Sequence, residues 1–269
     1  MKLQIFQVDA FSSKPFAGNP AAVVPLTSWL PDEIMLAIAA ENNLAETAFF
    51  VKTGDGFELR WFTPEVEMDL CGHATVASAY VLYKELGYTG EEISFQSKSG
   101  ELRVTRDGER FVLDFPSRPA DETETPAGLA AALGGEPQKV LKSRDYLAVY
   151  GSEAEILALK PDFRAISQLG VHAVIVTAKG HNSDFVSRFF APSVGVDEDP
   201  VTGSAHCTLI PYWAGVLGKN ELYARQVSAR GGELFCELVG DRVKIGGHAA
   251  LYLKGEIYVD AGNEKSVGA

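Results

Sequence analysis

The chain repeats itself once, at a distance of about 130 residues. Arg60-Trp61-Phe62-Thr63-Pro64 resembles Arg188-Phe189-Phe190-Ala191-Pro192, offset by 128. Asp69-Leu70-Cys71-Gly72-His73-Ala74 resembles Pro200-Val201-Thr202-Gly203-Ser204-Ala205, offset by 131. Gly87 matches Gly218 at 131, while Gly100-Glu101-Leu102 and Gly108-Glu109-Arg110 match Gly232-Glu233-Leu234 and Gly240-Asp241-Arg242 at 132. Each match alone is chance-level. Five in one order at nearly one offset point to two copies of one fold. A chain of 269 residues has room for both, each with a core that needs no disulfide or metal. The polar, proline-rich segment 116–126 cannot form a core strand and falls where the copies change over. The expected domains are therefore 1–117 and 118–255, with the strand near 256–260 able to return to the first.

Local patterning fits this division. Strand-like alternation or β-rich composition marks 2–9, 47–52, 57–62, 110–115, 172–177, 184–190, 225–229, 233–238 and 249–259. Pro31-Asp32-Glu33 opens a helix near 31–42. The two strongest helical signals are 73–86, stopped by Gly87, and 204–217, with Pro211 as the expected kink. Both are apolar nearly all round, so each should be buried on most sides. A buried helix among many short strands predicts a sheet curled around a central helix, twice. The tail Asn263–Ala269 is expected to be loose.

Composition narrows the function classes. Twenty-four basic and 36 acidic residues give a net charge of −12, which argues against nucleic acid or an anionic membrane as the main partner. A local pocket can still take an anionic small ligand. Three widely spaced cysteines form no disulfide framework or metal motif and fit a reducing cytosol. The alternating N-terminus reads as a strand rather than a signal peptide. No apolar run is long enough to span a membrane. The histidines lack ligand spacing, so no metal is expected, and without a P-loop or GxGxxG no nucleotide cofactor is indicated.

The candidate chemistry lies at the two helix starts. Gly72 and Gly203 sit at equivalent strand-to-helix turns, where free backbone N–H groups and the positive end of the helix dipole favour an anion. Two such ends facing each other would cradle a carboxylate or phosphate; two ordinary helix starts are the plain alternative. Cys71 is matched by Thr202, so a two-thiol racemase is disfavoured, and Cys71 reads as a lone nucleophile or a small buried hydrophobe. Glu46 enters an apolar strand, where desolvation would raise its pKa toward that of a general acid/base; an ion-paired edge glutamate is the alternative. The equivalent stretch near Val171-His172-Ala173-Val174 has no acid. His73 opens the first helix, as a ligand donor or an internal cap. Asp197, Glu198 and Asp199 precede the second, as caps or cleft acceptors.

These residues resemble the phenazine-biosynthesis PhzF-like family of the diaminopimelate epimerase-like superfamily. The resemblance runs through Val8-Asp9-Ala10-Phe11, Gly18-Asn19-Pro20, Asn43–Phe49, Arg60–Pro64, Cys71–Thr75, Arg188–Pro192 and Glu198–Ala205, nearly the whole chain. It implies an α+β fold of two similar domains, each a mixed sheet around a central helix, with the site between them. It also implies a cofactor-free isomerase, usually a homodimer. Glu46 would be the general acid/base; His73, Asp199 and Ser204 would bind and orient a small carboxylate metabolite, with Gly72 and Gly203 offering backbone donors. Cys71 and Pro200-Val201 depart from the phenazine enzymes themselves, so the activity class carries over better than the substrate. The alternatives are a metabolite-binding protein without catalysis and an epimerase that uses Cys71.

Overall fold

Seven strands in each half hydrogen-bond in the same order and with the same sense. In the first half the order is Lys2–Ala10, Asn19–Leu26, Glu46–Thr53, Gly56–Phe62, Glu92–Ser97, Gly100–Asp107 and Arg110–Pro116. In the second it is Lys139–Lys142, Tyr146–Val149, Val174–Lys179, Phe185–Ala191, Glu221–Gln226, Gly232–Val239 and Arg242–Gly247. Successive pairs run antiparallel, parallel, antiparallel, parallel, antiparallel and antiparallel in both halves. The repeat seen in sequence is thus a repeat of strand connectivity, and the fold is α+β. The structure is a computed structural model and describes residues 1–260. Asn263–Ala269 lies outside the described residues.

The halves join through equivalent strands. Arg110–Pro116 pairs antiparallel with Arg242–Gly247, and Leu113 lies opposite Ile245, its own counterpart at an offset of 132. A pseudo-two-fold axis passes through that pair. The outer edges are closed by exchange. Asp121–Glu122, which follows the first ladder, pairs with Lys139–Lys142 of the second. Ala249–Tyr258, which follows the second, pairs with Lys2–Ala10 of the first. At the end of that pairing the Val259 N–H donates to the Met1 carbonyl at 2.9 Å.

The strands are apolar on both faces because both are covered. Phe6, Val8, Val23, Trp61, Phe95, Leu113, Leu234 and Ile245 face one shared core with the two central helices. Ile5, Val24, Phe49 and Phe62 face the helix Asp32–Asn42 on the outside. Val140, Ala148, Val176 and Phe190 face three short helices on the outside of the second half. The central helices are Gly72–Tyr80, continued by a π-helical turn over Val81–Glu85, and Gly203–Leu217. Gly87 takes φ +71° just beyond the first, as its place after Leu86 requires. Pro211 lies inside the second and cannot donate to the Cys207 carbonyl; the Arg118 N–H takes that carbonyl at 2.8 Å.

One half-buried device occurs in both halves. Arg60 makes a two-pronged pair with Glu67 at 2.7 and 2.9 Å, and Arg188 makes the same pair with Glu198 at 2.8 and 2.9 Å. Each guanidinium also lies over an aromatic ring two residues on, Phe62 and Phe190. The matched Arg-x-Phe signal of the sequence is this pair.

The sequence expectation differs from the structure at several strands. The strand expected at 172–177 is Val174–Lys179, and that at 225–229 is Glu221–Gln226. Gln226, which ends that strand, is buried, and its amide serves the start of the second central helix. The hairpin of Glu92–Ser97 and Gly100–Asp107 is absent from the expected strands although Ile93, Phe95, Leu102 and Val104 alternate with polar residues, and the four-residue strands of the second half are too short to stand out. No described helix is long and apolar enough to cross a membrane.

Candidate active site

The two central helices meet head to head. A Cβ added at Gly72 would lie 3.7 Å from the Gly203 Cα, and the reverse distance is also 3.7 Å. Neither helix has a side-chain cap or an acidic residue in its first turn. Two sets of orphan N–H groups and two positive dipole ends therefore gather at the pseudo-two-fold axis. The second start is braced by Gln226, which accepts from the Thr202 N–H at 2.9 Å and donates to the Asp199 carbonyl at 2.7 Å.

The first half brings an acidic group to this junction. Glu46 begins its strand, and its Oε2 lies 3.1 Å from His73 Nε2, a close contact outside hydrogen-bond angles. The other imidazole nitrogen faces Asn19 Nδ2 at 3.1 Å and Cys71 Sγ at 3.5 Å. Burial works against a charged imidazole at His73, but its acidic neighbours Cys71 and Glu46 outweigh it and hold the pKa well above the usual value. Burial pushes the Cys71 thiol up to about 11, so it is a neutral thiol near pH 7, and Glu46 is the partner that matters there. Asn19 also donates to Asp199 Oδ1 at 2.8 Å and to the Val201 carbonyl at 2.9 Å, while its own Oδ1, on a fully buried residue, has no partner among the described residues. Arg230 anchors the loop before it, with 2.8 Å bonds to Asp9 and to the Gly18 carbonyl. Gly18 itself is required: a Cβ there would lie 2.2 Å from the Ala10 carbonyl oxygen.

Asp199 bridges the halves. It accepts from Asn19 and from the Thr202 hydroxyl, and burial pushes it up to about 6. Ser204 lies beyond Gly203, with Oγ 3.5 Å from an Arg144 guanidinium nitrogen. Arg144 is paired with the buried Asp145, which also lies 3.0 Å from His172 Nδ1. Burial alone would raise Asp145, but His172 and Arg144 outweigh it and hold it below the usual carboxylate range.

All six candidate residues, Glu46, Gly72, His73, Asp199, Gly203 and Ser204, thus cluster about the helix junction. Of the other acids before the second helix, Asp197 is exposed and Glu198 belongs to the Arg188 pair. No metal-ligand spacing is visible in the sequence, yet the fold brings Glu46, Cys71 and His73 together, with their donor atoms within 4.8 Å of one another. The sequence reading gave no role to Asn19, Arg144, Asp145 or Gln226. The signals available were the Gly18-Asn19-Pro20 turn and an Arg-Asp pair directly before an apolar strand. A surface groove of about 630 Å³ lined by Arg110, Lys219 and Tyr223 contains none of these residues.

The geometry agrees with what the chain is similar to. An uncharacterized isomerase of Pseudomonas aeruginosa is 56% identical over 258 residues, covering 96% of this chain and 99% of its own. A crystal structure of a phenazine biosynthesis protein of the PhzF family from Enterococcus faecalis superposes with a TM-score of 0.95 at 48% identity, covering 96% of this chain and all of its own. A hydroxyproline epimerase from Agrobacterium vitis shares the fold alone, with a TM-score of 0.59 at 10% identity, over 95% of this chain and 92% of its own. The family model for phenazine biosynthesis-like proteins matches residues 8–255, from the first strand through both helix starts to the strand that returns to it, so the chain belongs to that PhzC-PhzF family.

Proposed function

We propose that the protein is a cofactor-independent isomerase that moves a proton within a small carboxylate-bearing metabolite. The observation that carries this reading is the one-sided acid at a two-sided junction: Glu46 stands 3.1 Å from His73, whereas the register of the second ladder puts Ala173 at the matching place. A two-base racemase needs a base on each face of the reacting carbon. A single carboxylate suits removal of a proton from one carbon and its return to another on the same face. The helix ends would hold the substrate carboxylate with Gly72, Gly203 and Ser204 donors, which favours the enolate-like charge that develops beside it. His73, Asn19 and Asp199 form a connected network that fixes the Glu46 side of the site.

The epimerase reading through Cys71 draws support from the nearness of its thiol to His73. A thiol held at about 11 is a weak base source at neutral pH, which favours Glu46. The test is proton NMR in D₂O with 2,3-dihydro-3-hydroxyanthranilate, with Glu46→Gln as the control. Substrate loss and deuterium uptake with the native protein alone support the isomerase. Equal turnover by both proteins removes Glu46 from its role.

A further inference from the structure

We propose that Arg144 binds a second acidic group of the substrate, so that the site takes a dicarboxylate. This rests on the reading of the helix junction as a carboxylate cradle and adds a specificity residue to it.

The strand register maps one half onto the other. Arg60 lies opposite Phe49, and Arg188 lies opposite Val176, so Phe49 and Val176 correspond. Their parallel neighbours are Val24 and Ala148. Counting back along those strands matches Asn19-Pro20-Ala21 with Ser143-Arg144-Asp145. Arg144, Asp145 and His172 therefore fall at the places of Pro20, Ala21 and Ala45, each next in sequence to the place of Asn19 or Glu46 or one residue further. One half presents an acid to its helix start, and the other presents a guanidinium.

Placed there, Arg144 is held by its ion pair with the buried Asp145. The positive end of a helix disfavours a cation, and the first turn of Gly203–Leu217 has no acid to offset it. Asp145 takes only one edge of the fork, with Nε at 3.2 Å and one terminal nitrogen at 3.0 Å from Oδ2. The other terminal nitrogen, Nη1, has no partner among the described residues, and the side chain is 41% exposed. Asp145, itself buried, fixes the guanidinium before any ligand arrives, which lowers the ordering cost of binding. A preformed fork, a neighbouring serine hydroxyl and a helix start together suit a planar carboxylate. The acidic half then handles the mobile proton and the basic half anchors the far end of the substrate.

The experiment is calorimetric titration of the full chain with malonate, succinate and glutarate against acetate, propionate and butyrate, at constant ionic strength. The expected result is that at least one diacid binds more tightly than its monoacid by about tenfold or more, the margin of a charge-assisted contact. Arg144→Gln, which also strips a partner from the buried Asp145 and so lowers the unfolding temperature, should erase that margin while leaving monoacid affinity unchanged, and Arg144→Lys should restore part of both. Monoacid binding with no diacid margin, or a margin that survives Arg144→Gln, overturns the role of Arg144 and leaves the cradle intact. Failure of every acid to bind overturns both.

Discussion

Glu46 and His73 face each other at 3.1 Å on the acidic side of a junction whose other side carries Ala173 and Ser204 at the matching places. Glu46→Gln keeps the shape and removes the proton acceptor. Turnover should fall by roughly 10²–10⁴-fold, the usual worth of a general acid/base, with ligand affinity kept within a few-fold. Steady-state kinetics beside a binding titration separate the two effects.

Cys71 offers the contrasting case. Its thiol is buried and neutral near pH 7. Cys71→Ala should leave the rate within a few-fold of native and cost about 1 kcal/mol of stability for the lost packing. A rate loss as large as that of Glu46→Gln would transfer the proton chemistry to the thiol.

At Gly72 and Gly203 stability and function should part. Neither takes a positive φ, and an added Cβ at either meets nothing closer than 3.6 Å. Gly203→Ala should leave the unfolding temperature unchanged or slightly raised, since alanine is the better helix former by up to about 1 kcal/mol. The methyl would stand between the two helix starts, so carboxylate binding should weaken. Thermal unfolding with and without a carboxylate ligand reads both effects.

Two buried groups give opposing pH limbs. Burial depresses His206 to about 4, so the unfolded chain binds a proton first on acidification and stability is lost as pH falls from 6.5 toward 4. Burial raises Asp199 to about 6, so the folded chain binds a proton first and stability is lost as pH rises from 3.8 toward 6. Each limb is worth roughly 3 kcal/mol at 1.4 kcal/mol per pH unit, and over their shared window they nearly cancel. Asp199→Asn should expose the histidine limb as a steep acid loss between pH 6 and 4 in urea denaturation. A flat profile in that variant would remove His206 as its source.

The paired arginines should differ in cost. Arg188→Ala strands Glu198 and frees the Ile156 and Leu159 carbonyls, and should cost about 3–5 kcal/mol. Arg60→Ala should cost less, because Lys98 also reaches Glu67 at 2.5 Å. Chemical denaturation of the two variants decides the order.

Much of this was legible because duplication writes the same signal twice. The Arg-x-Phe and Gly-centred helix starts recur because each half needs the same ion pair and the same close approach. Glu46 stands out because a carboxylate entering Thr47-Ala48-Phe49-Phe50 is costly unless it is paired or functional. Arg144 and Asp145 stayed hidden because an Arg-Asp pair at a strand start is ordinary at the surface, and only the register with Glu46 and Ala173 shows what it faces. Gln226 stayed hidden because its partners, Asp199 and Thr202, are reached only through the fold. The strand Val196–Asp199 stayed hidden because its composition is acidic and its pairing is with Phe185–Ala191 alone.

The exchange of edge segments sets the order in which the molecule can be completed during synthesis. Lys2–Ala10 leaves the ribosome long before its partner Ala249–Tyr258. The first sheet is therefore an open template for most of translation, bordered by backbone groups that no neighbour satisfies. Its closure needs Ala249–Tyr258, so the nascent first half stays half-finished until the second half has been made.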